Sequence, residues 1–162
     1  RLNEDIIRFA RDEHTLLLGE RTAEDLKIAI GSAKELEEPM EAAMRGRDLV
    51  TGLPKEVVVD DSEIRRAMRH SITTLIAAIK STIESTPPEL VADIMHRGIV
   101  LVGGGSLLRG IDRLIAEETK IPVEVAEDPL TAVVRGTGIV LEDLDGLGDV
   151  LVSPEYQKVP QH

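Results

Sequence analysis

Three glycines and a serine, Gly103-Gly104-Gly105-Ser106, stand between an apolar run and a helical pattern, and no residues in this 162-residue chain are better suited to chemistry. Glycines at such a turn let a ligand approach the main chain, and the amides of the following helix start favour electron-rich groups. The same four residues also suit a plain tight turn from strand to helix. Their spacing is neither G-x-G-x-x-G nor a P-loop ending in G-K-[ST], so the dinucleotide fingerprint and the Walker lysine are both missing from the motif. Glu24 and Lys27 lie three apart on one helix and project from nearly the same side. They either reach a common polar ligand or form a solvated pair worth roughly a few tenths of a kcal/mol. His14, His70, His96 and His162 sit in different elements without ligand-like spacing and read as surface histidines, giving a metal site little support. Ser106 has neither an evident histidine base nor a nucleophile-elbow pattern. The carboxylates Asp60-Asp61, Glu117-Glu118 and Asp143 with Asp145 read as solvent-facing charge rather than acid-base groups.

Composition limits what those residues can serve. Lys and Arg number 19 against 30 Asp and Glu, a formal charge of -11, so the overall field repels polyanions and argues against a nucleic-acid role. Phe9 and Tyr156 are the only aromatic residues, too few for base-stacking platforms, and the core must be aliphatic. Without cysteine there are no disulfides, thiolate metal sites or cysteine nucleophiles, which fits a reducing compartment such as the cytoplasm. The strongest apolar run, Ile99 to Val102, is far short of the roughly 20 residues a spanning helix requires. The length suits one domain or two small subdomains. A chain that opens on Arg1, with no secretion-signal pattern, reads as a cut-out piece.

The elements that must position these residues follow from periodicity. Leu2, Ile6, Phe9 and Ala10 predict a helix over 3–14, which Leu16-Leu17-Leu18-Gly19 ends. Thr22 and Asp25 resemble a capping box for a second helix over 23–30, closed by a left-handed Gly31. Residues 35–60, punctuated by Gly46, Gly52 and Pro54, predict two or three antiparallel strands. From Asp61 or Ser62 to about Ser85, Ile64, Met68, Ile72, Ile76, Ile79 and Ile83 keep helical spacing. Thr86 then caps a short helix through Pro87-Pro88 that stops at Gly98. Ile99-Val100-Leu101-Val102 predicts a fully buried strand, Leu107 to about 118 a helix, and Ile121 to Val125 a strand parallel to the first. Asp128-Pro129 opens a last helix to Leu141, with Gly136 and Gly138 marking a close approach. The residues after Asp145 read as a loosely ordered tail.

Several stretches, in order, resemble the MreB family of bacterial actin-like proteins. Gly19-Glu20-Arg21-Thr22-Ala23-Glu24 with Lys27 and Ile30-Gly31-Ser32-Ala33 resembles the nucleotide-facing helix of subdomain IIB. The run from Gly46-Arg47-Asp48-Leu49-Val50 to Thr51-Gly52-Leu53-Pro54 is similar to the hairpin that follows it. Pro87-Pro88-Glu89-Leu90 and the stretch from Arg97 to Gly110 resemble the adenosine motif. Asp128-Pro129-Leu130-Thr131-Ala132-Val133 with Gly136-Thr137-Gly138 is similar to the closing helix of subdomain IIA. The glycine motif alone would also fit actins, Hsp70-type chaperones and sugar kinases. Its combination with the hairpin and the Glu20-Arg21-Thr22 run is far more specific.

The resemblance implies an α/β chain from the actin-like ATPase fold: an α+β subdomain IIB-like part over 1–90, a partial ribonuclease-H-like subdomain IIA over 91–145 and a flexible tail over 146–162. It implies ATP between two lobes, with Glu24, Asp25, Leu26 and Lys27 toward ribose and adenine and Gly104, Gly105, Ser106 and Leu107 beneath the base. The family's phosphate loops and water-positioning glutamate belong upstream of Arg1, so Mg²⁺ and the γ-phosphate would be held there, and this chain alone should not hydrolyse ATP. A two-stranded remnant of the IIA sheet would leave an exposed edge prone to dimerisation or strand exchange. The implied setting is self-association into cytoplasmic, membrane-associated filaments that work with the cell-shape and cell-wall machinery. The competing reading is a protein-interaction module with no nucleotide role.

Overall fold

A computed structural model describes residues 1–143 and 146 of the chain, so apart from Gly146 the expected tail lies outside the described residues. Helix α1 (Leu2–His14) buries Ile6, Phe9 and Ala10 along one stripe, and Thr15 ends it in a left-handed conformation. Strand β1 (Leu16–Leu17) follows, then α2 (Glu20–Ile30), β2 (Glu41–Asp48), β3 (Pro54–Asp60) and the long helix α3 (Asp61–Glu84). The three strands form an antiparallel sheet in the order β1-β2-β3. Its third strand is thus the Leu16-Leu17 pair, which periodicity treated only as a helix end. The device that seats it is Gly46: a Cβ there would lie 2.3 Å from the carbonyl oxygen of Leu17, so only glycine lets the two strands meet at this point.

Two expected caps belong to other residues. Helix α2 starts at Glu20 with Gly19 as its N-cap, which places Thr22 and Asp25 inside the helix rather than at its mouth. Thr86 spends its hydroxyl on the Thr82 carbonyl at 2.7 Å, leaving Pro87 as the N-cap of α4 (Pro88–Arg97). The capping box that does form belongs to α3. Asp60 accepts from the Glu63 amide at 2.9 Å while the Glu63 carboxylate accepts from the Asp60 amide at 3.0 Å. The Ser62 hydroxyl and the Glu63 amide bind the Asp60 carboxylate and hold its pKa below the usual value.

Beyond Gly98 come β4 (Ile99–Leu101), a 3-10 turn (Gly104–Leu107), α5 (Ile111–Thr119), β5 (Val123–Val125) and α6 (Ala132–Glu142). Strands β4 and β5 pair in parallel, with Ile99 opposite Val123 and Leu101 opposite Val125. Leu107 and Leu108 precede α5 rather than open it, because Gly110 with φ 75° breaks the chain and becomes the N-cap. Strand β4 is not fully buried: Val100 is 52% exposed, since among the described residues only β5 flanks it. At Gly136 and Gly138, where a close approach was expected, no described atom outside the helix's own backbone lies within 4 Å of a Cβ position.

One apolar cluster joins both parts of the chain. Ile6 and Phe9 of α1, Leu26 and Ile30 of α2, Met44 and Val59 of the sheet, and Ile64, Met68, Ile72 and Ile76 of α3 meet Ile111 and Ile115 of α5. Ile64 is completely buried, so Ile64→Val, which deletes one methylene, should lower the unfolding free energy by about 1 kcal/mol. Urea unfolding followed by circular dichroism measures this, and an unchanged midpoint would show that the site repacks without loss.

Candidate functional site

The glycine turn is built from a left-handed residue outward. Gly103 takes φ 81° and donates its amide to the Pro129 carbonyl at 2.7 Å, which ties the turn to the segment before α6. The Ser106 hydroxyl donates back to the Gly103 carbonyl at 2.6 Å, so this side chain is buried and internally spent. Gly104 and Gly105 are exposed; a Cβ on Gly105 would meet nothing within 4 Å, and one on Gly104 would meet only Cδ2 of Leu130 at 3.3 Å. Among the described residues, no acceptor meets the amides of Gly104 and Gly105. Open space beside unpaired amides is what an electron-rich planar group needs to lie against the main chain. The Leu107 side chain is 56% exposed next to them.

On α2 the four predicted residues divide. Glu24 and Asp25 are exposed and Lys27 is half-buried, whereas Leu26 is 3% exposed in the core. Leu26 therefore packs its side chain into the core and fixes the helix there. The Lys27 ammonium donates to Oδ1 of Asn3 at 2.8 Å and stands 4.0 Å from the Glu24 carboxylate. The pair is thus neither free in solvent nor a simple i,i+3 bridge, because α1 holds the lysine. Asn3 carried no sequence signal, being 24 residues away from its partner.

Between the two sets lies a junction. Gly31 leaves α2 at φ -67° and ψ 138°, extended rather than left-handed, because the chain runs straight into pairing with Arg109. The Ala33 amide donates to the Arg109 carbonyl at 2.7 Å, and one guanidinium nitrogen of Arg109 donates to the carbonyls of Ile28 at 2.9 Å and Gly31 at 3.3 Å. Ser32 is wholly buried there, and its hydroxyl accepts from Arg65 at 3.0 Å. Arg65 also donates to Asp61 at 2.7 Å and to the Lys34 carbonyl at 3.3 Å, while Asp61 accepts from the Met40 amide at 3.0 Å. Asp61 was expected to face solvent, but it is 5% exposed. The Met40 amide first, and the Arg65 guanidinium after it, hold its carboxyl below the usual range.

Beside the glycine turn runs an apolar trough of about 460 Å³ between α1, α3 and β4, walled by Leu2, Ile72, Leu75, Leu101 and Ser106. No residue of α2 lines it. His14 is not a surface histidine: it packs edge-on to Phe9 with ring centres 5.2 Å apart, and its Nε2 is 3.8 Å from Glu63. Glu117 and Glu118 do face solvent, each paired with a lysine, Lys34 and Lys80 respectively. Among the described residues no group of three or more histidines and carboxylates is placed to hold a metal, and no helix is long and apolar enough to cross a membrane.

A sheet-and-helix unit carrying the Lys27 helix, joined through one strand-like junction to a β-α-β unit with a glycine turn, is the architecture of an actin-like protein. A family model described as MreB/Mbl protein matches residues 1–149. The cell shape-determining protein Mbl of Bacillus subtilis (strain 168) is 46% identical over 143 residues, covering 88% of this chain and 43% of its own length. The cell shape-determining protein MreB of Escherichia coli (strain K12) is 47% identical over 155 residues, covering 96% of this chain and 45% of its own. MreB5 of Spiroplasma citri, solved bound to AMPPNP and also to ADP, superposes with TM-scores of 0.85 and 0.86 at 34% identity. The AMPPNP-bound match covers 93% of this chain and 45% of that one. This chain belongs to the MreB/Mbl family, and it spans less than half the length of the curated relatives it matches.

Proposed function

We propose that these residues form the adenosine side of an ATP cleft in a filament-forming, cell shape-determining protein. The observation that carries the reading is the glycine turn, whose Gly104 and Gly105 amides are unpaired and beside open space among the described residues, and which is joined through Arg109 to the helix bearing Glu24 and Lys27. Those groups fit adenosine: main-chain amides and flat open space suit a base, and a carboxylate beside an ammonium suits ribose hydroxyls. The nucleotides bound by the S. citri relative support the same assignment. Leu26 and Ser106 serve by packing, and Glu24, Asp25, Lys27, Gly104, Gly105 and Leu107 face the ligand. The chain spans less than half the length of its relatives, and hydrolysis would further require groups positioned around Mg²⁺ and the γ-phosphate.

The protein self-associates into cytoplasmic filaments at the membrane and organises the cell-shape and cell-wall machinery. Its subdomains divide near residue 90, one resembling IIB and the other part of IIA. Calorimetric titration of the full-length gene product with ATP tests the central point. Saturable binding is expected, weakened at least about tenfold by Lys27→Ala and by Gly104→Val, a loss of about 1.4 kcal/mol each. Affinity untouched by both substitutions would instead favour a protein-interaction module without a nucleotide role.

A further inference from the structure

We infer that Arg109 is a positioning residue for the adenosine site: it sets the spacing between the α2 grips and the glycine turn. The inference rests on the nucleotide reading above. It starts from how α2 ends. A helix leaves its last carbonyls without intrahelical donors, and a left-handed glycine commonly supplies them by folding the chain back. Gly31 does not, because it is extended. The Ile28 and Gly31 carbonyls are met instead by the Arg109 guanidinium, at 2.9 and 3.3 Å. A cation at a helix C-terminus is also favoured by the helix dipole.

Position in the chain makes this bond more than a cap. Ile28 immediately follows Lys27, and Arg109 stands two residues after Leu107, so one side chain ties the end of one candidate ligand set to the end of the other. The main chain repeats the tie, with Ala33 donating to the Arg109 carbonyl at 2.7 Å. Neither end can drift. Leu108 and Ile111 on either side of the arginine are buried in the core, as are Leu26 and Ile30 on α2. A Cβ on Gly110 would come within 3.2 Å of Lys34, so the following residue is held close as well. No direct hydrogen bond or ion pair joins Glu24 or Lys27 to Gly104–Leu107 among the described residues; the link runs through the junction.

A planar guanidinium can serve two carbonyls at once, whereas a lysine ammonium at the end of a flexible stem orders them less well. Arg109→Ala in the full-length gene product is therefore expected to weaken ATP binding at least about tenfold, with Arg109→Lys intermediate. The decisive measurement is a double-mutant cycle by calorimetry. If Arg109 places Lys27 against the nucleotide, Lys27→Ala should cost less than about threefold in the Arg109→Ala background, against about tenfold alone. A purely structural arginine would lower the thermal midpoint of the nucleotide-free protein yet leave the two affinity penalties multiplying. That multiplication, or an Arg109→Ala affinity within about twofold of the wild type, overturns the inference. Should Arg109→Ala not fold, the same cycle is run with Arg109→Lys and Arg109→Gln. Failure of Lys27→Ala and Gly104→Val to affect binding would sink the nucleotide reading itself, and is thereby distinguished from a failure confined to Arg109.

Discussion

Asp61→Asn is expected to lower the unfolding free energy by about 3 kcal/mol at pH 7, because it strips the half-buried Arg65 of its buried counter-charge. The side chain of Asp61 is 7% exposed and that of Arg65 22%. Arg65 in turn orders Ser32 and the Lys34 carbonyl at the junction behind α2. Asparagine keeps an acceptor for the Met40 amide but no charge, so most of the loss falls on the ion pair. The pH dependence has a definite sign. Since the folded-state pKa of Asp61 is depressed, its contribution is fully present above the unfolded value of about 3.9 and is lost as pH falls through the folded one. The gap between wild type and Asp61→Asn should hence stay constant from about pH 5 to 8 and narrow below about pH 4. Urea melts across that range measure it. A gap that is small at pH 7, or that widens in acid, would show that the pair is screened and that the junction does not depend on it.

What periodicity can see is a helix face, and what it cannot see is a partner. The α3 pattern from Ile64 to Ile76 and the β4-α5-β5 crossover were legible because each stripe or run is local, and their order predicted a parallel pair. Strand β1 was not, since two leucines after a helix look like its frayed end. Only Gly46, tight against the Leu17 carbonyl 29 residues away, declares that a strand lies there. The same limit explains the caps: Thr22 and Thr86 have the right chemistry, but Gly19 and Pro87 hold the positions. For the candidate site, residue types and family resemblance named the glycine turn and the α2 residues. They could not tell that Leu26 and Ser106 face inward, that Asn3 holds Lys27, or that Asp61 is buried, because each depends on contacts between distant segments.

Gly98 carries the largest expected effect of any single substitution considered, and the reason lies in two independent costs at one Cα. Its backbone sits at φ 79° and ψ -172°, a region open in practice only to glycine, and a side chain there is strained by about 1–3 kcal/mol whatever surrounds it. A Cβ would also stand 2.6 Å from the Pro122 carbonyl oxygen. That oxygen is no flexible neighbour: it accepts the Ile99 amide at 2.8 Å, the bond that starts the pairing of β4 with β5. The atom cannot retreat without opening the sheet, so the clash adds a cost of the overpacking kind, and Gly98→Ala should lose about 4 kcal/mol in all. Gly105→Ala is the matched control. It lies seven residues along the same segment, has nothing within 4 Å of its Cβ position, and should change stability by less than about 1 kcal/mol. Because β4 leads through Val102 into Gly103, the damage at Gly98 should reach the glycine turn. Hydrogen exchange at Ile99, Gly103 and Ala126 is expected to quicken together in Gly98→Ala, by more than at the α3 amides from Ile64 to Ile72, and to change little in Gly105→Ala. A Gly98→Ala protein that melts within about 1 kcal/mol of the wild type would mean that the β4-β5 pair accommodates the methyl group, and that the glycine turn is not braced by this strand.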